Sequence, residues 1–313
     1  MAVYTEVPAE TLAAFLSGFD VGRLVVAKGI AEGVSNSNFL VETTGGRFIL
    51  TLYERRIDPA DLPWFLGLMG HLAARGLPVP RPVPDREGRV LHRLAGRCAA
   101  LVEFLPGVSV TEPTVAQCRA AGEALARLHL AAEGYPPTRP NRLGLGFARE
   151  AAAALGARLD SLDAGLGATV QEALSAVEAG VPPDLPVGIV HADLFPDNVL
   201  FLGERVSGLI DFYFACADRL AYDLAVLRVA WSFSADGARF LPDRDRALVE
   251  GYARMRPLAP AEAQALPALS ALAALRFLLT RALDWFEVDP GPLVARKDPL
   301  AFARRLAHVL ANG

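Results

Sequence analysis

The chain has 313 residues, 52% hydrophobic and 21% charged, which excludes a disordered polymer and points to two compact parts rather than one. A formal net charge of −4 gives no electrostatic basis for nucleic acid or an anionic membrane as partner. Three scattered cysteines, Cys98, Cys118 and Cys216, read as free thiols of a reducing compartment, and MAVYTEVPAETLAAF lacks the pattern of a secretion signal, so a cytoplasmic protein is expected.

In chain order, residues 8–18 read as a short helix and 23–27 as a strand. The loop Gly29–Asn38 follows, then a strand at 39–42, a Thr44-Gly45-Gly46 turn and a strand at 47–53. This is the layout of a small antiparallel sheet whose first hairpin can fold over phosphates. Ser35, Asn36, Ser37 and Asn38 would offer amides and side-chain donors to phosphate oxygens. Asp61 caps an expected helix at 62–75, closed by Gly76 and a proline-rich run. A hairpin around 85–88 and an apolar strand at 98–104 lead into Leu105-Pro106-Gly107, which reads as a hinge between lobes at 1–104 and 105–313.

Beyond the hinge the pattern turns helical. Val115, Cys118, Gly122, Leu125 and Leu128 share one face of a helix at 114–132, with His129 at its edge as a packing residue. Two Ala/Leu-rich helices fill much of 145–180, and others are expected at 221–233, 243–255, 260–286 and 298–311. The most apolar window, 265–283, contains Pro267, Arg276 and Arg281, so it reads as a buried helix pair and not as a membrane span.

The stretch from Gly188 to Ala225 carries the chemistry. His191-Ala192-Asp193-Leu194 through Asn198 matches the kinase loop H-x-D-L-x-x-x-N, with alanine where protein kinases carry arginine. Strand-like runs at 199–202 and 206–210 follow, and then Ile210-Asp211-Phe212 stands where a metal-binding Asp-Phe-Gly is expected, Tyr213 replacing the glycine. Phosphoryl transfer needs a carboxylate beside the acceptor hydroxyl and oxygen ligands that hold magnesium against the phosphates. In that scheme Asp193 is the catalytic base, and Asn198 and Asp211 are the Mg2+ ligands. His191 organises the loop, and the backbone near Glu103 and Leu105 meets the adenine of ATP. Asp and Asn also cap ordinary turns, but four ordered positions with strands between them favour the phosphotransferase reading.

These motifs, with the helix start at Tyr222-Asp223, resemble the aminoglycoside phosphotransferase and choline kinase superfamily. Within it the chain is similar nearly end to end to the bacterial homoserine kinases. The similarity is carried by segments such as GIAEGVSNSNFLVET (29–43), FILTLYERR (48–56), HADLFPDNVLF (191–201), ALRFLLTRALDWF (274–286) and KDPLAFARRL (297–306). The resemblance implies an α+β, two-lobed protein-kinase-like fold: a small antiparallel-sheet N-lobe and a larger, mainly helical C-lobe. It also implies ATP-dependent phosphorylation of the L-homoserine side-chain hydroxyl, in threonine biosynthesis. The competing expectations are a kinase of the same fold acting on choline or ethanolamine, methylthioribose or an aminoglycoside, and a catalytically dead kinase-like binding protein. Retention of Asp193, Asn198 and Asp211 argues against the last.

The sequence departs from the general pattern in three places. Thr51 stands where related kinases grip phosphate with a strand lysine, and the helix at 62–75 has no acidic partner for one. The threonine is itself the homoserine-kinase-like residue, and Arg55 or Arg56 could supply the missing charge. Lys28, one of only two lysines with Lys297, precedes the glycine loop and so lies in the wrong order to replace it. Val229 and Ala230 precede Trp231 where homoserine kinases resemble one another in carrying Asn-Asp. Pro140–Gly146 imitates the phosphate loop of an unrelated kinase class without its serines.

Overall fold

The computed structural model describes residues 5–30, 36–54, 57–287 and 297–312. Two compact units emerge, one of the described residues up to Pro106 and one from Gly107 onward.

In the first unit, β1 (Leu24–Ile30), β2 (Asn36–Thr43), β3 (Gly46–Tyr53), β4 (His92–Leu94) and β5 (Arg97–Glu103) form one sheet. Its order is β1-β2-β3-β5-β4, with every neighbouring pair antiparallel. The register sets Phe39, Leu50 and Leu101 in one row across the sheet, and Ser37, Leu52 and Ala99 in another. Helix α1 (Ala9–Leu16) adds Leu12 and Leu16, and Phe19 and Val21 complete this core. Side chains alternate between the faces of a strand, so a one-residue slip would move these apolar groups off the core face. Helix α2 (Leu62–Ala74) begins with proline in its first turn and buries Leu62, Phe65, Leu66, Leu68, Met69 and Leu72.

The second unit is mainly helical. It comprises α3 (Val115–Ala131), α4 (Leu145–Leu155), α5 (Leu166–Gly180), α6 (Leu220–Trp231), α7 (Pro242–Met255), α8 (Pro260–Glu287) and α9 (Leu300–Asn312). Between α5 and α6 lie two antiparallel ribbons, β6 (Val187–Val190) with β9 (Cys216–Arg219), and β7 (Val199–Leu202) with β8 (Arg205–Leu209). A reciprocal Thr114–Gln117 capping box starts α3, and the Gln117 side chain also donates to the Gly203 carbonyl (3.0 Å) in the β7–β8 turn.

The apolar window read as a helix pair is part of one continuous helix. Pro267 lies inside α8, where it removes one hydrogen bond without ending the helix. Packing overrides the break: α8 meets α4, α5, α6 and α9. Length and composition would let α8 cross a membrane, but 72% of its most apolar stretch is buried within the protein, as in a core helix.

Helices α3 and α7 cross with their backbones nearly touching. A Cβ on Gly122 would stand 2.1 Å from the Leu248 carbonyl oxygen, and one on Gly251 would stand 2.2 Å from that of Arg119. Gly122→Ala is therefore expected to force the helices apart and cost about 1–3 kcal/mol of stability. Thermal unfolding of the variant checks this, and an unchanged Tm would contradict the close crossing.

Candidate active site

The loop from His191 to Asn198 lies between β6 and β7, and nearly every backbone polar group in its first half has a named partner. The Asp223 carboxylate, at the start of α6, accepts from the His191 amide (2.7 Å) with one oxygen and from the Ala192 amide (2.8 Å) with the other. Arg276 on α8 donates to the Ala192 carbonyl. The Asp193 carbonyl accepts from the Phe195 amide (2.9 Å) and the Asn198 side chain (2.7 Å). Trp231 Nε1 on α6 donates to the Leu194 carbonyl (2.8 Å). Such saturation is what a buried non-repetitive segment requires. It also holds Ala192 in the left-handed region, at φ 62°, a conformation that costs a non-glycine residue about 1–3 kcal/mol.

Asp223 is fully buried, which alone would raise its carboxyl. The hydrogen bond from His129 and the groups around His191 outweigh burial and hold it below the usual carboxylate value. Behind it runs a chain in which Arg256 donates to the Tyr252 hydroxyl (3.2 Å), the hydroxyl meets His129 Nδ1 (2.8 Å) and His129 Nε2 meets Asp223 (3.0 Å). The expectation that His129 packs and does not catalyse agrees with this position.

His191 is likewise enclosed. Burial, its largest influence, lowers its pKa, so the neutral ring donates from Nε2 to the Ile210 carbonyl (2.9 Å) and accepts the Asp193 amide at Nδ1 (3.3 Å). One nitrogen ties the loop to the segment that follows β8, and the other braces the loop internally.

The Asp193 carboxylate stays partly open, its side chain 18% exposed, with Arg276 Nη2 3.7 Å away. Burial pushes its carboxyl up to about 7; Arg276 opposes the rise, and the charges of Asp211 and Asp197 add to it. Asn198 gives its amide N–H to Asp193, which leaves Oδ1 as a free acceptor. The Asn198 carbonyl in turn accepts from the Ile210 amide (3.0 Å), which sets Asp211 beside it. Asp211 is also left-handed, at φ 64°. Its surroundings push its carboxyl to about 6, chiefly by burial, although solvent reaches this exposed residue and tempers that rise. Among the described residues no three His, Cys, Asp or Glu side chains group around a metal position. Magnesium does not need that. It takes one or two carboxylates and completes its octahedron with phosphates and water, so the hard oxygens of Asn198 and Asp211 fit it.

Of the residues expected to meet nucleotide, Ser35 lies outside the described residues, as do Arg55 and Arg56. Asn38 pairs with Thr51 across β2 and β3, and Asn36 with Tyr53, so Asn36, Asn38 and Thr51 share the sheet face opposite the α1 core. Thr51 Oγ1 donates to Asn38 Oδ1 (2.8 Å), and Asn36 Oδ1 is buried without a hydrogen-bond partner. Ser37 does not join them. Its side chain turns to the core face, accepting from the Thr5 amide (3.1 Å) and donating to Glu54 (2.7 Å). The Glu103 amide donates to the Arg81 carbonyl (2.9 Å) at the end of β5, and Leu105 follows as the unit closes. Lys28 is exposed on the edge strand β1. Cavities of about 640 Å³ in the first unit and 130 Å³ in the second contain none of the candidate residues.

Arg276 is the participant that the sequence did not disclose. It is 2% exposed, and its guanidinium lies 4.6 Å from the ring centre of Phe277 and 5.2 Å from that of Phe214, besides holding Ala192 and Asp193. Its only sequence signal was a charge inside an apolar helix. Val229 and Ala230 are buried, so they pack within the second unit. Pro140–Gly146 is structural as well: Asn141 donates to Asp218 (2.7 Å) and Gly144 begins α4.

The model of the phosphotransferase enzyme family matches residues 26–258. The chain belongs to this family. Its relatives include the homoserine kinase of Azorhizobium caulinodans, 56% identical over 98% of this chain and 95% of that one. Another is the homoserine kinase of Acidiphilium cryptum, 55% identical over 100% of this chain and 98% of that one. Among solved structures, an amicoumacin kinase bound to AMP-PNP, Ca2+ and its antibiotic has a TM-score of 0.70 at 15% identity, covering 97% of this chain and 94% of that one. A spectinomycin phosphotransferase bound to ADP and spectinomycin also scores 0.70, at 14% identity and 98% coverage of each chain. These distant structures share the fold. This phosphotransferase is therefore an ATP-dependent kinase of the expected α+β, protein-kinase-like type.

In this phosphotransferase, Asp223→Asn replaces a two-oxygen acceptor with one oxygen and an amide that faces N–H donors. A buried donor left without a partner costs about 1–3 kcal/mol. The expected outcome is a lowered Tm together with at least a tenfold loss of kcat/KM. Full activity in the variant would contradict the role given to this clamp.

Proposed function

We propose that the protein phosphorylates the side-chain hydroxyl of L-homoserine with ATP, releasing ADP and O-phospho-L-homoserine for threonine biosynthesis in the cytoplasm. The observation that carries this reading is more than half identity to homoserine kinases over almost the whole chain.

The residues divide the work as follows. Asp193, partly exposed and fixed by the loop around it, accepts the hydroxyl proton as the substrate oxygen attacks the γ-phosphorus and the bond to the bridging oxygen of ADP breaks. Asn198 Oδ1 and the Asp211 carboxylate hold Mg2+, which neutralises phosphate charge and orients the phosphates when bound. His191 serves as a strut, because both its nitrogens are committed. Ser35, Asn36, Asn38 and Thr51, the backbone of Ser37 and the backbone near Glu103 and Leu105 receive the nucleotide. With threonine in place of a lysine, the metal pair takes a larger share of the phosphate charge.

A coupled ADP-release assay over L-homoserine, choline, ethanolamine, methylthioribose and kanamycin tests the acceptor. Turnover of L-homoserine well above the others is expected, and turnover of another acceptor alone would overturn the reading. Asp193→Asn should cut kcat by about 10²–10⁴-fold, the usual worth of a general base, while leaving nucleotide affinity within a few-fold.

Two pH effects follow from the raised Asp193 carboxyl. A base must be ionised, so kcat/KM should fall about tenfold per pH unit on an acid limb whose apparent pKa is at or below about 7, bound Mg2+ favouring the lower end. In stability the sign reverses. A folded-state pKa above the unfolded one stabilises at low pH, and that contribution is lost as pH rises through about 7. Ligand-free Asp193→Asn should then melt higher than wild type at pH 8, with the gap shrinking toward pH 5. An equal gap at both pH values would contradict the raised carboxyl.

A further inference from the structure

An amino-acid acceptor brings a carboxylate that must be met by a cation close to Asp193. Three arginines surround the aromatic cluster beside the catalytic loop, and their surroundings separate them. Phe195 of the loop packs edge-on against Phe277 of α8 (4.7 Å, 81°), and Phe302 of α9 lies 5.1 Å from Phe277. Arg276 is buried and committed to Ala192 and Asp193. Arg305 is 5% exposed and donates to the carbonyls of Ser234 (3.1 Å) and Ala235 (3.3 Å). Among the described residues Arg305 Nε has no partner but is sealed from solvent, whereas Arg281 is partly open to it.

Arg281 stands one turn beyond Phe277 on the same stripe of α8, since residues four apart are neighbours on a helix. Its guanidinium carbon lies 4.5 Å from the centre of the Phe302 ring, which braces the group against α9. Among the described residues it makes one hydrogen bond, from Nη1 to the Asp298 carbonyl (3.1 Å), although a guanidinium carries five N–H donors. Among the described residues no carboxylate pairs with it, and the Asp298 side chain is occupied by the Leu300 amide (2.8 Å) at the start of α9. Burial lowers its pKa, while the charges of Asp298, Asp193 and Asp197 oppose that. The residue remains partly open to solvent. A planar, oriented, incompletely satisfied guanidinium is the group that recognises a carboxylate by paired hydrogen bonds.

We propose that Arg281 binds the α-carboxylate of the acceptor and makes this kinase select an amino acid over the amino alcohol that lacks it. This rests on the proposed function. L-Homoserine and 3-amino-1-propanol present the same hydroxyl and amine and differ in the carboxylate alone. The test compares wild type, Arg281→Met and Arg281→Lys on both substrates. It adds thermal unfolding and calorimetric binding of L-homoserine to the protein loaded with Mg2+ and a non-hydrolysable ATP analogue.

Arg281→Met should raise KM and Kd for L-homoserine roughly ten- to hundredfold, the worth of a charge-assisted contact, with kcat within a few-fold. Turnover of 3-amino-1-propanol should stay unchanged, so that selectivity collapses, and Arg281→Lys should recover part of it. An unchanged homoserine Kd in Arg281→Met, an equal loss on both substrates, or a selectivity that collapses in Lys297→Met and not in Arg281→Met would overturn the assignment. A wild type inactive on L-homoserine would instead overturn the proposed function and this assignment with it. That result is distinguishable from an active wild type whose selectivity survives the substitution.

Discussion

Asp223 holds the amides of His191 and Ala192 with its two oxygens, and the geometry of the catalytic loop depends on that grip. A carboxylate buried this completely survives only where hydrogen bonds return what desolvation removes. Here the return comes from two backbone amides and His129. The same grip keeps Ala192 left-handed, which turns its carbonyl to Arg276 and leaves the Asp193 side chain beside that arginine. One buried carboxylate thus positions another that stays partly exposed.

The electrostatics of the second unit show why such a site is costly to the fold. Asp193, Asp197 and Asp211 repel one another without a bound metal, and Arg276 offsets only part of that repulsion. Only Asp193 of the three is largely enclosed, and Asp197 and Asp211 face solvent, so water screens part of this repulsion. Nucleotide and metal would relieve the strain, coupling ligand occupancy to stability.

What the sequence disclosed, and what it did not, follows from how local each interaction is. Asp193, Asn198 and Asp211 lie within one short stretch whose spacing is set by a loop and a hairpin, so their order alone marks them as candidates. The partner of Ala192 on α8 lies 84 residues away, and the Asp223 clamp spans 32, so neither appears as a motif. Ser37 illustrates a parity effect. With the strand begun at Phe39, the preceding residues read as a loop. β2 begins at Asn36, and strict alternation sends Ser37 to the core face while Asn36 and Asn38 stay on the other. Pro267 misled in the opposite direction, because a proline inside a helix is tolerated when packing on several sides holds the helix together.

We place Asp193 against the acceptor hydroxyl, and Asn198 and Asp211 on the metal. A crystal structure with Mg2+, a non-hydrolysable ATP analogue and L-homoserine tests this placement most directly. The homoserine hydroxyl is expected about 2.6–3.2 Å from the Asp193 carboxylate, with Asn198 Oδ1 and Asp211 ligating the metal. A hydroxyl bound away from Asp193, or a metal held without Asp211, would contradict it.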